Sequence, residues 1–271
     1  MPARSVNGTS IFYEESGRGG GGDSAAPPVV LLHGFPLDSR IWAAQRRALP
    51  EKFRVITPDL RGFGQSAAST APFSLELLAD DVHALLKELG AERCALGGLS
   101  MGGYVALAYV KKYGGELRGL MLIDTKAEAD TPEGKEARTR MVEVARQKGS
   151  SAIADLMEPK MLAPDAAKQR PAVAKELRAI MEACPPLTIE HALLAMRERP
   201  DRVAELGQIK VPTLIVVGEH DAITPPAVAE TMRKGIPNAR LVVVRGAGHM
   251  SCMEQPEQVN QAMREFVAGI V

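Results

Sequence analysis

The chain has 271 residues, 45% of them hydrophobic and 24% charged, enough for one large domain or two small ones with a sizeable core. Its formal net charge is zero, so electrostatics give no reason to expect nucleic acid or an anionic membrane as partner. Three scattered cysteines (Cys94, Cys184 and Cys252) suggest neither a disulfide framework nor a metal-ligand cluster, and no segment has signal-peptide or membrane-spanning character. The expectation is a cytoplasmic protein with no metal and no cofactor.

In chain order, residues 10–15 read as an edge strand. A glycine-rich connector, 17–28, follows; no helix comes after it and no Lys-Ser pair closes a phosphate cradle. Residues 28–32 form a short apolar strand that runs into His33-Gly34-Phe35-Pro36. Residues 53–58 form another strand, ending at Asp59-Leu60-Arg61-Gly62-Phe63-Gly64-Gln65-Ser66. Apolar residues at helical spacing predict a helix over 75–89, stopped by Gly90. A buried strand closes at Gly97 and a helix runs on from Tyr104, with Gly98-Leu99-Ser100-Met101-Gly102 between them. Strands are also expected over 120–124, 211–217 and 240–244, and an amphipathic helix over 256–270.

Strands apolar on both faces, alternating with helices, predict an α/β architecture with a mostly parallel sheet covered on both sides. Residues 125–208 break that rhythm. They hold helix-like stretches divided by Pro132, Pro159, Pro164, Pro171, Pro185-Pro186 and Pro200, and no strand-like run. The expected organisation is a core of 1–124 and 209–271, with 125–208 inserted before the penultimate strand as a helical cap.

A serine on a tight strand-to-helix turn is exposed above a helix N-terminus, and flanking glycines let the backbone turn sharply. Its hydroxyl needs a base, and the base an orienting acid. Of the five histidines, His249 in Gly246-Ala247-Gly248-His249-Met250 follows the last strand; His83 lies on the 75–89 helix and His191 in the cap, both read as packing or surface residues. Asp221 follows the 211–217 strand in Gly218-Glu219-His220-Asp221. Ser100, Asp221 and His249 thus fall at the ends of successive or near-successive strands, where sites of open α/β sheets assemble. Asp124, at the end of its own strand, is the rival acid.

From His33 to His249 the chain resembles the α/β-hydrolase family: the His33-Gly34-Phe35-Pro36 loop, the Asp59–Ser66 turn and the Gly98–Gly103 elbow come in the family's order. The resemblance implies Ser100 as nucleophile, His249 as base and then acid, and Asp221 as its orienting acid. Backbone N–H groups of Phe35 and Met101 would form the oxyanion hole. His33 would shape that loop, with Asp59 and Arg61 in a supporting polar network. Serine at the elbow argues against the aspartate and cysteine nucleophiles of other branches. The implied activity is hydrolysis of a small-molecule carboxylic ester through an acyl-serine. Enol-lactonase or perhydrolase/haloperoxidase chemistry is the alternative, then a hydroxynitrile lyase or a ligand-binding receptor. Methionines and leucines of the cap (Met141, Met157, Met161, Leu162, Met181, Leu187, Met196) are read either as an adaptable pocket or as simple packing.

Overall fold

The computed structural model describes residues 2–17 and 26–270; most of the glycine-rich connector, 18–25, lies outside the described residues. Strands β1 (Ala3–Val6), β2 (Thr9–Ser16), β3 (Val29–Leu32), β4 (Val55–Pro58), β5 (Ala95–Leu99), β6 (Gly119–Ile123), β7 (Thr213–Gly218) and β8 (Ala239–Val244) form one sheet in the order β1-β2-β4-β3-β5-β6-β7-β8. The β1–β2 and β2–β4 pairs are antiparallel and all others parallel. The early strand is therefore not the edge. β1 takes that place and β2 pairs on both sides, a difference from the sequence expectation that arises because β1 is short and three of its four residues are exposed.

Alternation along the strands divides the core in two. Val30, Leu32, Leu96, Leu120, Leu122, Ile215 and Val217 face one side, under α2 (Leu75–Glu88), α3 (Met101–Tyr113) and α8 (Pro226–Gly235). Val29, Leu31, Ala95, Leu99, Met121, Ile123, Leu214 and Val216 face the other, under α10 (Pro256–Ala268), α1 (Ala43–Ala48) packed against it, and the segment carrying Ile41 and Trp42. Successive strand residues point to opposite faces, and both faces are dry, so the strands read as unbroken apolar runs. Helix α2 begins where the Ser74 hydroxyl accepts from Leu77 N–H, and the chain leaves it through Gly90 at φ +57°.

Between β6 and β7 come α4 (Pro132–Met161), α5 (Ala166–Gln169), α6 (Pro171–Ala183) and α7 (Pro186–Arg197), with no strand among the described residues. Pro132, Pro171 and Pro186 stand in first turns, where a missing N–H costs nothing. Pro159 sits inside α4 without dividing it. The break in that helix falls instead at Gly149, at φ +76° and ψ −169°. This helical segment is stitched to the strand ends: Met250 N–H donates to Met161 O (3.1 Å), Ala163 N–H to Glu254 Oε2 (2.9 Å) and Thr188 Oγ1 to Gly62 O (2.9 Å). At its base Asp130 pairs with Arg138 and with Arg199 (2.8 Å), tying the segment's entry to its exit. No helix of the described residues is long and apolar enough to cross a membrane.

Candidate active site

Ser100 stands between β5 and α3 at φ +53°, ψ −114°, a region that L-residues avoid at a cost of about 1–3 kcal/mol. The surroundings impose it. Ser100 N–H donates to Ile123 O (3.0 Å), and Ser100 O accepts from Thr125 Oγ1 (2.8 Å), Gly103 N–H (2.9 Å) and Tyr104 N–H (3.2 Å). A Cβ on Gly98 would lie 2.1 Å from Gly102 O, and one on Gly102 would lie 2.5 Å from Leu32 O. Glycine is therefore required on both sides of the serine, because strand, turn and helix meet backbone to backbone.

The loop after β3 lies against the same turn. A Cβ on Gly34 would be 3.2 Å from Ser100 Cβ, which brings the next residue, Phe35, beside the serine. The N–H groups of Phe35 and Met101 donate to no described group; Met101 opens α3, where first-turn amides have no partner within the helix. His33 shapes this loop from below: its Nε2 accepts from Leu60 N–H (3.0 Å), so Nδ1 carries the proton and donates to Gly34 O (2.9 Å). Burial, outweighing the nearby Asp59, pulls its pKa below the usual histidine value. His33 is a neutral strut. Asp59 and Arg61 belong to two networks and not one: Asp59 accepts from Ser39 and Gln65 N–H (2.8 Å each), whereas Arg61 forks onto Asp81 (2.7 and 2.8 Å).

Asp221 follows β7 and His249 follows β8. They meet at 2.8 Å, Nδ1 to Oδ2, and both are buried. The carboxylate also accepts from Ile223 N–H (2.8 Å), Thr224 N–H (2.9 Å) and Thr224 Oγ1 (2.7 Å). Burial raises the Asp221 pKa, but His249 and the Thr224 bonds outweigh it and hold the carboxyl below the ordinary carboxylate range. Burial opposes charge on His249 too, yet Asp221 leaves its pKa above the ordinary 6.5. With Nδ1–H given to the carboxylate, Nε2 is the free basic nitrogen. No hydrogen bond joins Ser100 Oγ to His249 among the described residues; such contacts often tighten only with substrate bound.

The other singled-out residues fall elsewhere. His83 stacks on Tyr113 at 3.7 Å and pairs with Glu116 (3.0 Å), and His191 is buried against Phe73. Trp42 is wholly buried core. Cys252 is buried, and burial pushes its thiol well above the usual range, so it is inert as a nucleophile. Met161, Met181 and Met196 are core packing, whereas Leu187 is exposed. Sequence reasoning missed Thr224, Ser251 and Glu254. Only Thr224 left a signal, three residues after Asp221 in the same turn.

Residues 29–262 match the alpha/beta hydrolase family, and the chain belongs to that family. It is 32% identical over 269 residues to an AB hydrolase superfamily protein, YisY, of Bacillus subtilis, covering 95% of each chain. Among solved structures it is similar to a thermophilic esterase from Thermogutta terrifontis (TM-score 0.92, 42% identity, 99% of this chain and 97% of that one). It is also similar to an enol-lactonase from Burkholderia xenovorans (TM-score 0.89, 29% identity, 98% of this chain and 100% of that one).

Proposed function

We infer that the protein hydrolyses small carboxylic esters by serine acyl transfer, with Ser100, His249 and Asp221 as the triad. The observation that carries this reading is the buried 2.8 Å Asp221–His249 pair at the same sheet edge as the strained Ser100 elbow. His249 Nε2 takes the proton as Ser100 Oγ attacks the acyl carbonyl, and Asp221 fixes the tautomer and stabilises the imidazolium. The N–H groups of Phe35 and Met101 receive the developing oxyanion, each such donor supplying about 2.7–4 kcal/mol in the transition state. The imidazolium then protonates the departing alkoxide, and a water molecule, deprotonated by His249, releases the acid and regenerates Ser100.

A cyclic ester would follow the same steps, its leaving alkoxide remaining tethered to the acyl group. The likeness to an enol-lactonase favours testing lactones beside open esters. Residues 125–208 act in this reading as a cap that shapes the acyl pocket, on a core of 1–124 and 209–271. The protein needs neither metal nor cofactor for this chemistry.

The test is turnover of a p-nitrophenyl acyl ester series, and of simple lactones, by the wild type and by Ser100→Ala. The wild type is expected to turn over at least one chain length, and the variant to lose roughly 10⁴-fold or more in kcat. Turnover that survives Ser100→Ala, or a folded wild type inert on every ester and lactone, would refute the proposal.

A further inference from the structure

Asp124 ends β6 in a position as unusual as that of Ser100. It is wholly buried, at φ +45°, and its N–H extends the sheet by donating to Val216 O (2.8 Å). Its side chain reaches two other segments. Oδ1 accepts from Gly218 N–H (2.8 Å), at the end of β7 and three residues before Asp221. Oδ2 accepts from the Ser251 hydroxyl (2.5 Å) and Ser251 N–H (3.3 Å), two residues after His249. The two loops also touch each other directly: His220 N–H donates to Ala247 O (2.8 Å), and a Cβ on Gly218 would lie 2.0 Å from Gly248 O. Those contacts hold the His249 loop on its upstream side. Downstream of the imidazole Ser251 bonds to Asp124 on the sheet, while Met250 N–H reaches Met161 O (3.1 Å) and Cys252 O accepts from Gln45 Nε2 (3.2 Å) on other elements.

We propose that Asp124 is a positioning residue for the acid–histidine pair, one carboxyl group pinning the root of the Asp221 loop and the far side of the His249 loop to a common point. This role rests on the acyl-transfer reading. It differs from that of an acid bonded to the imidazole, a place Asp221 occupies.

The proton on Asp124 is part of the arrangement. Burial first, and the Asp221 carboxylate second, push its pKa up to about 8, against the opposing pull of His249, Ser251 and Gly218. Cys252 and Glu254, on the short helix α9 (Ser251–Glu254), are further titratable groups on the segment that carries Ser251, and burial raises the pKa of each. At Asp124, burial and the Asp221 carboxylate both favour the protonated carboxyl, in which the Ser251 bond persists with donor and acceptor exchanged. Ionisation adds a second negative charge beside Asp221, favours the imidazolium over the free base and lowers turnover.

The experiment measures kcat and KM on the best p-nitrophenyl ester, across pH, for the wild type, Asp124→Ala, Asp124→Asn, Ser251→Ala and Ser100→Ala. Misplacement of a reacting group by about 1 Å costs roughly a hundredfold. Asp124→Ala is expected to lose kcat on that scale with KM within about twofold. Asp124→Asn, whose amide can accept from Gly218 and donate to Ser251, is expected to recover at least about tenfold of the loss. Its kcat profile should differ from that of the wild type on the alkaline side, where only the wild type has this carboxyl to ionise. Should Asp124→Ala fail to fold, Ser251→Ala carries the test, since it removes the hydroxyl bond to Asp124, leaves only the long 3.3 Å N–H contact, and should lower kcat without raising KM. A folded Asp124→Ala or Ser251→Ala with wild-type kcat, or an Asn variant no better than Ala, overturns the role. If Ser100→Ala is inactive in that case, the acyl-transfer reading stands; turnover surviving Ser100→Ala overturns both.

Discussion

At His249 two forces oppose each other, and their balance sets a pH dependence. Burial disfavours the imidazolium and Asp221 favours it; Asp221 prevails, so the folded-state pKa lies above 6.5. In the proposed acyl-transfer mechanism His249 must be neutral to accept the serine proton, so kcat/KM should fall as pH drops through that raised value. The acid limb is therefore expected above pH 6.5, and Asp221→Asn should move it downward while lowering the rate. A limb at or below the ordinary histidine value in the wild type would show that the ion pair does not govern the base. Ser100, Asp221 and His249 were legible as candidates because each lies in a glycine-marked turn after an apolar run. Asp124 was legible only as a rival acid. Its contacts, with Gly218 and with Ser251, span 94 and 127 residues of sequence, and no local pattern announces such pairings.

At the level of elements, the helical segment between β6 and β7 depends on a buried ion cluster at its base. Asp130 and Arg199 side chains are 7% and 4% exposed, and the Arg199 guanidinium lies 4.2 Å from the ring centre of Tyr104, on the first turn of α3. Arg199 also donates to Met196 O (2.8 Å) and Glu128 O (2.9 Å). Ion pairing with Arg199 and Arg138 outweighs burial and holds Asp130 down to about 2, so it is charged at every working pH. Removing it leaves buried guanidinium charge uncompensated, which typically costs about 3–5 kcal/mol. Asp130→Ala should lower the urea midpoint accordingly, and a loss under about 1 kcal/mol would show that water or Glu128 replaces the carboxylate. The helices here were legible from their prolines, but the kink was not: a glycine within a helix-like run has no unique reading, and only packing selects φ +76° at Gly149. β1 was illegible for a related reason, since four mostly exposed residues carry too little alternation to read.

Over the whole molecule, the order of strands explains why distant residues converge. β5 is flanked by β3 and β6, and β7 and β8 complete that side, so loops bearing Phe35, Ser100, Asp221 and His249 open from the same edge of the parallel strands. The alternation of apolar runs and helices carried this arrangement in the sequence. The glycine-to-backbone contacts that bring the loops together did not show there, because a glycine states only that space is short and not what fills it. The direct measurement of the central claim is covalent: the protein is treated with an alkyl fluorophosphonate, which mimics the tetrahedral intermediate, and the labelled peptide is mapped by mass spectrometry. One adduct is expected, on Ser100, formed far more slowly in His249→Ala and absent in Ser100→Ala. An adduct on another residue, or ester turnover that continues after Ser100 is fully labelled, would contradict it.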